Sequence, residues 1–176
     1  MLNELTLLFK ALHFAADKHR DQRRKDAGAT PYINHPIELA ELLSRESQVS
    51  DVNVLVAAVL HDTVEDTKTT KKELEDTFGH EIAGIVMEVT DDKSLAKEDR
   101  KRVQIENAAT CSSQAKLVKL ADKICNLRDM SIRPPDGWSL ERKQKYFDWS
   151  REVVSQLRGV NSNLEEIFDK VYTTRP

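Results

Sequence analysis

Residues 51–66, DVNVLVAAVLHDTVED, place an unbroken apolar run directly before a cluster of ionisable groups. With Asp51 as N-cap, a helix over this stretch is apolar on every side through 54–60, so it has no face for water and belongs in the middle of a fold. A buried strand is the rival reading. The continuation favours a helix, because Glu65 and Asp66 then lie one turn beyond His61 and Asp62, over the same face. Four ionisable groups on the element least able to solvate them demand a partner.

Working outward, Leu5, Leu8, Phe9, Leu12, Ala15 and Ala16 recur at helical spacing and predict an amphipathic first helix. The next segment, HRDQRRKDAGATPY at 19–32, is polar and the most basic of the chain; Gly28 and Pro31 mark it as a flexible, irregular loop. Pro36 suits the first position of a second helix, with His35 at its entrance. Thr70 and Glu73 form a capping box ahead of a short helix that Gly79 ends, and Ile82, Ile85, Val86 and Val89 give the following one. An exposed charged helix over 97–106, an inward-packing one over QAKLVKLADKICNL (114–127), a long one from Ser139 to about Arg158 and a last one over 164–171 complete the pattern. The expectation is an all-α helical bundle of seven to nine helices, one domain over 1–176.

Composition removes several function classes. With 27 basic and 30 acidic residues the net charge is −3, so no global field draws the chain to nucleic acid or an anionic membrane. No stretch approaches the roughly 20 apolar residues of a membrane span. Cys111 and Cys125 form neither a disulfide framework nor a CxxC pair, which fits a reducing compartment and a cytoplasmic protein. Cys125 reads as packed and unreactive.

A second anomaly is Asp122, a carboxylate within the inward-facing KLVKLADKICNL segment, with Asn126 four residues on and on the same face. Together with His35, His61 and Asp62 it makes a mixed nitrogen and oxygen donor set suited to manganese, iron(II) or zinc. Singly, each residue has a bland explanation: His35 as a helix cap, His61-Asp62 as an ordinary helix end. HDTVED closing an all-apolar helix, HP after PY, and AD interrupting a second apolar helix are hard to explain together as solvated surface. His13, His19 and His80 lack such company and read as structural or exposed.

These segments resemble the HD-domain hydrolases, in the alarmone hydrolase branch shared with the bacterial Rel/Spo proteins. The resemblance rests on RRKDAGATPYINHP (23–36), LHDTVEDT (60–67) and KLADKICNLRD (119–129). The length, with EVTDDKSLAKEDRKRVQIENA and GWSLERKQKYFDW, is similar to the stand-alone, Mesh-type animal members, without synthetase or regulatory domain. The Ile124-Cys125 pair departs from the pattern, since many relatives carry leucine followed by a larger polar or aromatic residue there.

The resemblance implies one manganese ion on His35, His61, Asp62 and Asp122. It also implies removal of the 3′-pyrophosphate from guanosine tetraphosphate or pentaphosphate (ppGpp, pppGpp), yielding GDP or GTP and pyrophosphate. Glu65 and Asp66 would serve the reaction, while Arg24, Lys25, Asn126 and Tyr146 would hold the nucleotide. The same site acting on the 2′-phosphate of NADPH is one alternative, and a non-catalytic nucleotide-binding protein is another. Cyclic-dinucleotide phosphodiesterases of the HD class generally carry added histidines for a second metal, and no added pair stands at suitable spacing here. The oligomeric state is left open by the sequence.

Overall fold

The apolar run becomes the central helix. In the computed structural model, which describes residues 3–176, the chain forms α1 (Glu4–Lys18), α2 (Asn34–Glu41) continued by a π-helical turn (Leu42–Glu46), α3 (Val52–Leu60), α4 (Thr63–Asp66), α5 (Lys71–Phe78), α6 (His80–Val89), α7 (Lys97–Thr110), α8 (Ser113–Ile132), α9 (Leu140–Ser155) and α10 (Ser162–Tyr172). Among the described residues there are nine helices of two turns or more and the single-turn α4, with two isolated bridges in place of strands. None of these helices is long and apolar enough to cross a membrane.

Val54, Val56, Ala57, Ala58, Val59 and Leu60 on α3 have no exposed surface, and α1, α2, α6 and α8 surround them. Asp51 caps this helix by accepting from the Asn53 N–H (2.9 Å). The helix stops at Leu60, earlier than its pattern predicts. His61 turns its Nδ1 back onto the Ala58 carbonyl (2.8 Å) and Thr63 Oγ1 donates to that of Leu60 (2.6 Å), so side chains claim carbonyls a continuing helix would use. Asp62 takes φ −97°, ψ 0°, and α4 restarts beyond it. This break lets His61 and Asp62 leave the apolar core while staying next to it.

Other differences are local. In α1 the stripe is rotated from the expected one: Ala11 and Ala15 are buried, whereas Leu5, Phe9 and Ala16 are exposed. Small side chains let α1 close up on α3, the helix it contacts most. Helix α2 begins at Asn34, so Pro36 is its third residue; its missing N–H still falls among the unpaired donors of a first turn. Thr70 caps α5 by accepting from Glu73 N–H (3.1 Å), but the Glu73 carboxylate pairs with Lys18 (2.7 Å) instead of closing the box. Nor is the basic loop free: Arg24 N–H bonds Thr30 O (2.8 Å), Thr30 Oγ1 bonds Asp26 (2.8 Å), and Asp136 N–H bonds Lys25 O (2.7 Å). These bonds tie the loop to the α8–α9 connection.

Candidate metal centre and cleft

The broken end of α3, the start of α2, the middle of α8 and the basic loop enclose a cleft of about 510 Å³. The ligand atoms of His35, His61 and Asp62 lie within 4.8 Å of one another at this cleft. Asp122 joins them from α8: its Oδ1 is 3.1 Å from His35 Nε2 and 3.9 Å from His61 Nε2. Four residues from three separate segments thus converge.

A divalent cation fits this group. His61 Nδ1–H donates to the Ala58 carbonyl, which leaves Nε2 as the ring's lone-pair donor. That Nε2 is buried and 2.8 Å from Asp62 Oδ2, but the direction is not that of a hydrogen bond, so the nitrogen has no hydrogen-bond partner. Burial opposes charge on His61, yet Asp62 and Asp122 outweigh it and lift the imidazole to about 9. Burial likewise works to raise the Asp62 and Asp122 carboxyls, but His61 holds Asp62 low, and Lys123 with the two histidines holds Asp122 low. Two partly buried carboxylates held against two buried imidazoles make a pocket of the charge and donor type that a divalent ion satisfies.

Both carboxylates are themselves held. Asp122 Oδ1 accepts from Asn126 Nδ2 (2.6 Å) and Oδ2 from Lys123 Nζ (3.0 Å), while the Lys123 ammonium lies over the Trp149 ring at 4.5 Å. The Tyr32 hydroxyl donates to Asp62 Oδ2, and burial together with the Asp62 charge keeps that phenol protonated.

Beyond the centre, Glu65 and Asp66 also line the cleft. Glu65 Oε2 accepts from the Asp91 N–H (3.1 Å); burial, reinforced by the Asp62 charge, raises its carboxyl to about 7. Asp66 accepts from Gln22 Nε2 (2.7 Å) and forms an ion pair with Lys93. Arg24, half-buried, forks onto Asn126 Oδ1 (3.0 Å) and Asp129 Oδ2 (2.7 Å) and faces the Tyr32 ring at 5.7 Å. Lys25 is exposed at the rim. Tyr146 lines the cleft between Trp138 and Trp149, with ring centroids at 5.9 and 5.3 Å. Cys125 is buried, and desolvation pushes its thiol up, away from the thiolate form.

Sequence reasoning passed over Gln22, Tyr32, Lys93, Lys119 and Lys123, all of which line the cleft. Lys119 and Lys123 stand one turn apart beside Asp122 and are both buried, a signal that a lysine inside an apolar pattern offers. Of the charge run in α7, Arg100 reaches the cleft; Lys97, Lys101 and Arg102 do not line it.

The HD-domain family profile matches residues 11–146. A guanosine-3′,5′-bis(diphosphate) 3′-pyrophosphohydrolase MESH1 from Danio rerio is 55% identical over 169 residues, covering 96% of this chain and 94% of its own. The Homo sapiens protein of the same name is 53% identical over 175 residues, covering 99% and 98%. A solved structure described as "A metazoan ortholog of SpoT hydrolyzes ppGpp and plays a role in starvation responses" matches with a TM-score of 0.93 at 51% identity, over 96% of this chain and 95% of that one. On this fold, this cleft and these near full-length relatives, the chain belongs to the HD-domain family, in the branch of the MESH1 pyrophosphohydrolases.

Proposed function

We propose that the chain hydrolyses the 3′-pyrophosphate of ppGpp and pppGpp, with manganese as the divalent ion on His35, His61, Asp62 and Asp122. The observation that carries this reading is the convergence of those two imidazoles and two carboxylates beside Glu65 in a cleft of nucleotide size. The near full-length relatives named for this activity support it. When bound, the ion supplies Lewis-acid polarisation of a phosphate oxygen and acidifies a water.

Glu65, whose carboxyl burial and the Asp62 charge raise to about 7 without the cation, takes the proton of the attacking water at its carboxylate. Asp91 N–H fixes the orientation of that carboxylate. Asp66, held by the Gln22 amide and paired with Lys93, orients water and ribose. Water adds to the phosphorus attached to O3′, the bond from phosphorus to O3′ breaks, and O3′ takes up the proton held by Glu65 to become the 3′-hydroxyl of GDP or GTP while pyrophosphate departs.

Arg24 turns its planar guanidinium toward the nucleotide from a fork already set by Asn126 and Asp129. Lys25 neutralises phosphate charge at the rim, and Tyr146 packs against the nucleoside. The whole chain acts as one hydrolase domain.

The test is turnover of ppGpp by the manganese-loaded protein, with GDP and pyrophosphate quantified and NADPH run in parallel. GDP and pyrophosphate are expected, and Asp62→Ala should lose both bound metal and turnover. Absence of pyrophosphate release, or a higher kcat/KM for NADPH, would reject ppGpp as the substrate.

A further inference from the structure

Gln22 and His19 have no assigned role, yet both are built into the wall behind Asp66. Gln22 sits in the tight turn after α1, where its N–H donates to His19 O (2.9 Å) and its carbonyl accepts from Tyr32 N–H (3.1 Å) and Arg23 Nη1 (2.9 Å). From this fixed backbone the side chain bridges two groups: Oε1 is 2.7 Å from His19 Nδ1, and Nε2 is 2.7 Å from Asp66 Oδ2.

A carboxylate only accepts, so the amide NH₂ must face Asp66. The amide oxygen is then left to accept the Nδ1–H of His19, and one imidazole tautomer sets which way the amide points. His19 is only 1% exposed, with Nε2 buried and without a partner. Burial lowers its basicity and keeps the ring neutral.

The same ring packs against Tyr32 (centroids 4.9 Å apart, 34° between planes), and the Tyr32 hydroxyl donates to Asp62. One buried imidazole therefore braces two carboxylates of the HDTVED segment, one through an amide and one through a phenol. Lys93 approaches Asp66 as well, but from a half-exposed, flexible side chain that adds charge more than direction.

We propose that Gln22 and His19 are positioning residues for the hydrolytic step, holding Asp66 directly and Asp62 through Tyr32. This rests on the role assigned to Asp66 under the ppGpp reading. Gln22→Ala should lower kcat for ppGpp about 10- to 100-fold, the scale of one hydrogen bond to a charged group, while KM stays within about twofold. Manganese affinity should be retained. Gln22→Glu, which sets a second carboxylate against Asp66, should be slower still.

Two comparisons separate positioning from mere support of the fold. Asp66→Ala combined with Gln22→Ala should be no slower than Asp66→Ala alone. His19→Asn, which keeps an N–H near the Nδ1 position, should retain most of the rate, whereas His19→Phe, which keeps only the ring, should fall to the level of Gln22→Ala. Melting temperatures of all variants accompany the kinetics, and the Gln22 arm stands alone if His19→Phe does not fold. An active wild type with an equally fast Gln22→Ala, or multiplicative losses in the double variant, would overturn this inference alone. A wild type without ppGpp turnover would overturn the substrate reading and this inference with it.

Discussion

Stripping the cation should expose a pH-dependent weakness centred on His61. Without metal, Asp62 and Asp122 raise this imidazole from 6.5 to about 9 in the folded chain. A rise of that size corresponds to roughly 3 kcal/mol of folding stability at about 1.4 kcal/mol per pH unit. Because the folded ring is the more basic, the stabilisation is complete below pH 6.5 and is lost as pH rises through 9. At about 2–4 °C per kcal/mol for a chain of this size, the metal-free protein should lose roughly 6–12 °C of melting temperature over that window on account of this group. His61→Asn, which removes the titrating ring, should lack that component.

Manganese competes with the same proton. Its apparent affinity should therefore rise about tenfold per pH unit until the ring is deprotonated, and the gain in melting temperature on adding metal should grow across the window. Thermal unfolding monitored by circular dichroism from pH 6 to 9.5, with chelator or with manganese, reads both effects. Parallel chelator curves for wild type and His61→Asn, together with a pH-independent metal affinity, would refute the placement of His61 between two carboxylates.

Three further outcomes follow from the same geometry. Glu65→Gln should reduce kcat by about 10²–10⁴-fold with little change in KM, and the rising limb of the wild-type pH profile, governed by a carboxylate raised to about 7 before the cation lowers it, should disappear in the variant; stopped-time pyrophosphate assays check both. Arg24→Met should raise KM more than it lowers kcat, because the role proposed for this guanidinium, held by Asn126 and Asp129, is to bind the nucleotide and not the reacting phosphorus, as steady-state kinetics will show. Phe147→Ala, at a ring with no exposed surface, should cost about 3–5 kcal/mol in urea unfolding while leaving the metal site's composition intact.

Much of this protein is legible locally. The run 54–60 announces a buried helix because no face of it can meet water, and the structure buries all of it except Leu55, which is partly exposed. His61, Asp62 and Asp122 stand out as ionisable residues within or at the end of an apolar pattern, whereas His35, at a helix entrance, is singled out only in combination with them and by the family resemblance. Less legible is how those helices end and turn. The stop after Leu60 depends on His61 and Thr63 side chains competing for backbone carbonyls, a contest that apolar patterning does not record. The rotation of α1 depends on how closely its alanines approach α3, which is a property of two helices and not of one.

What the sequence determined by itself is therefore the all-helical class, the central helix and the chemical types of the donors, because each is written in residues within a turn or two of one another. Tertiary structure alone decided that His35 and Asp122, 87 positions apart, meet at 3.1 Å beside His61. It alone revealed that Gln22 crosses 44 positions to direct Asp66. Such contacts depend on how α2, α8 and the basic loop pack around α3, and a single glutamine or tyrosine in a polar loop carries no periodic signal of the carboxylate it will face.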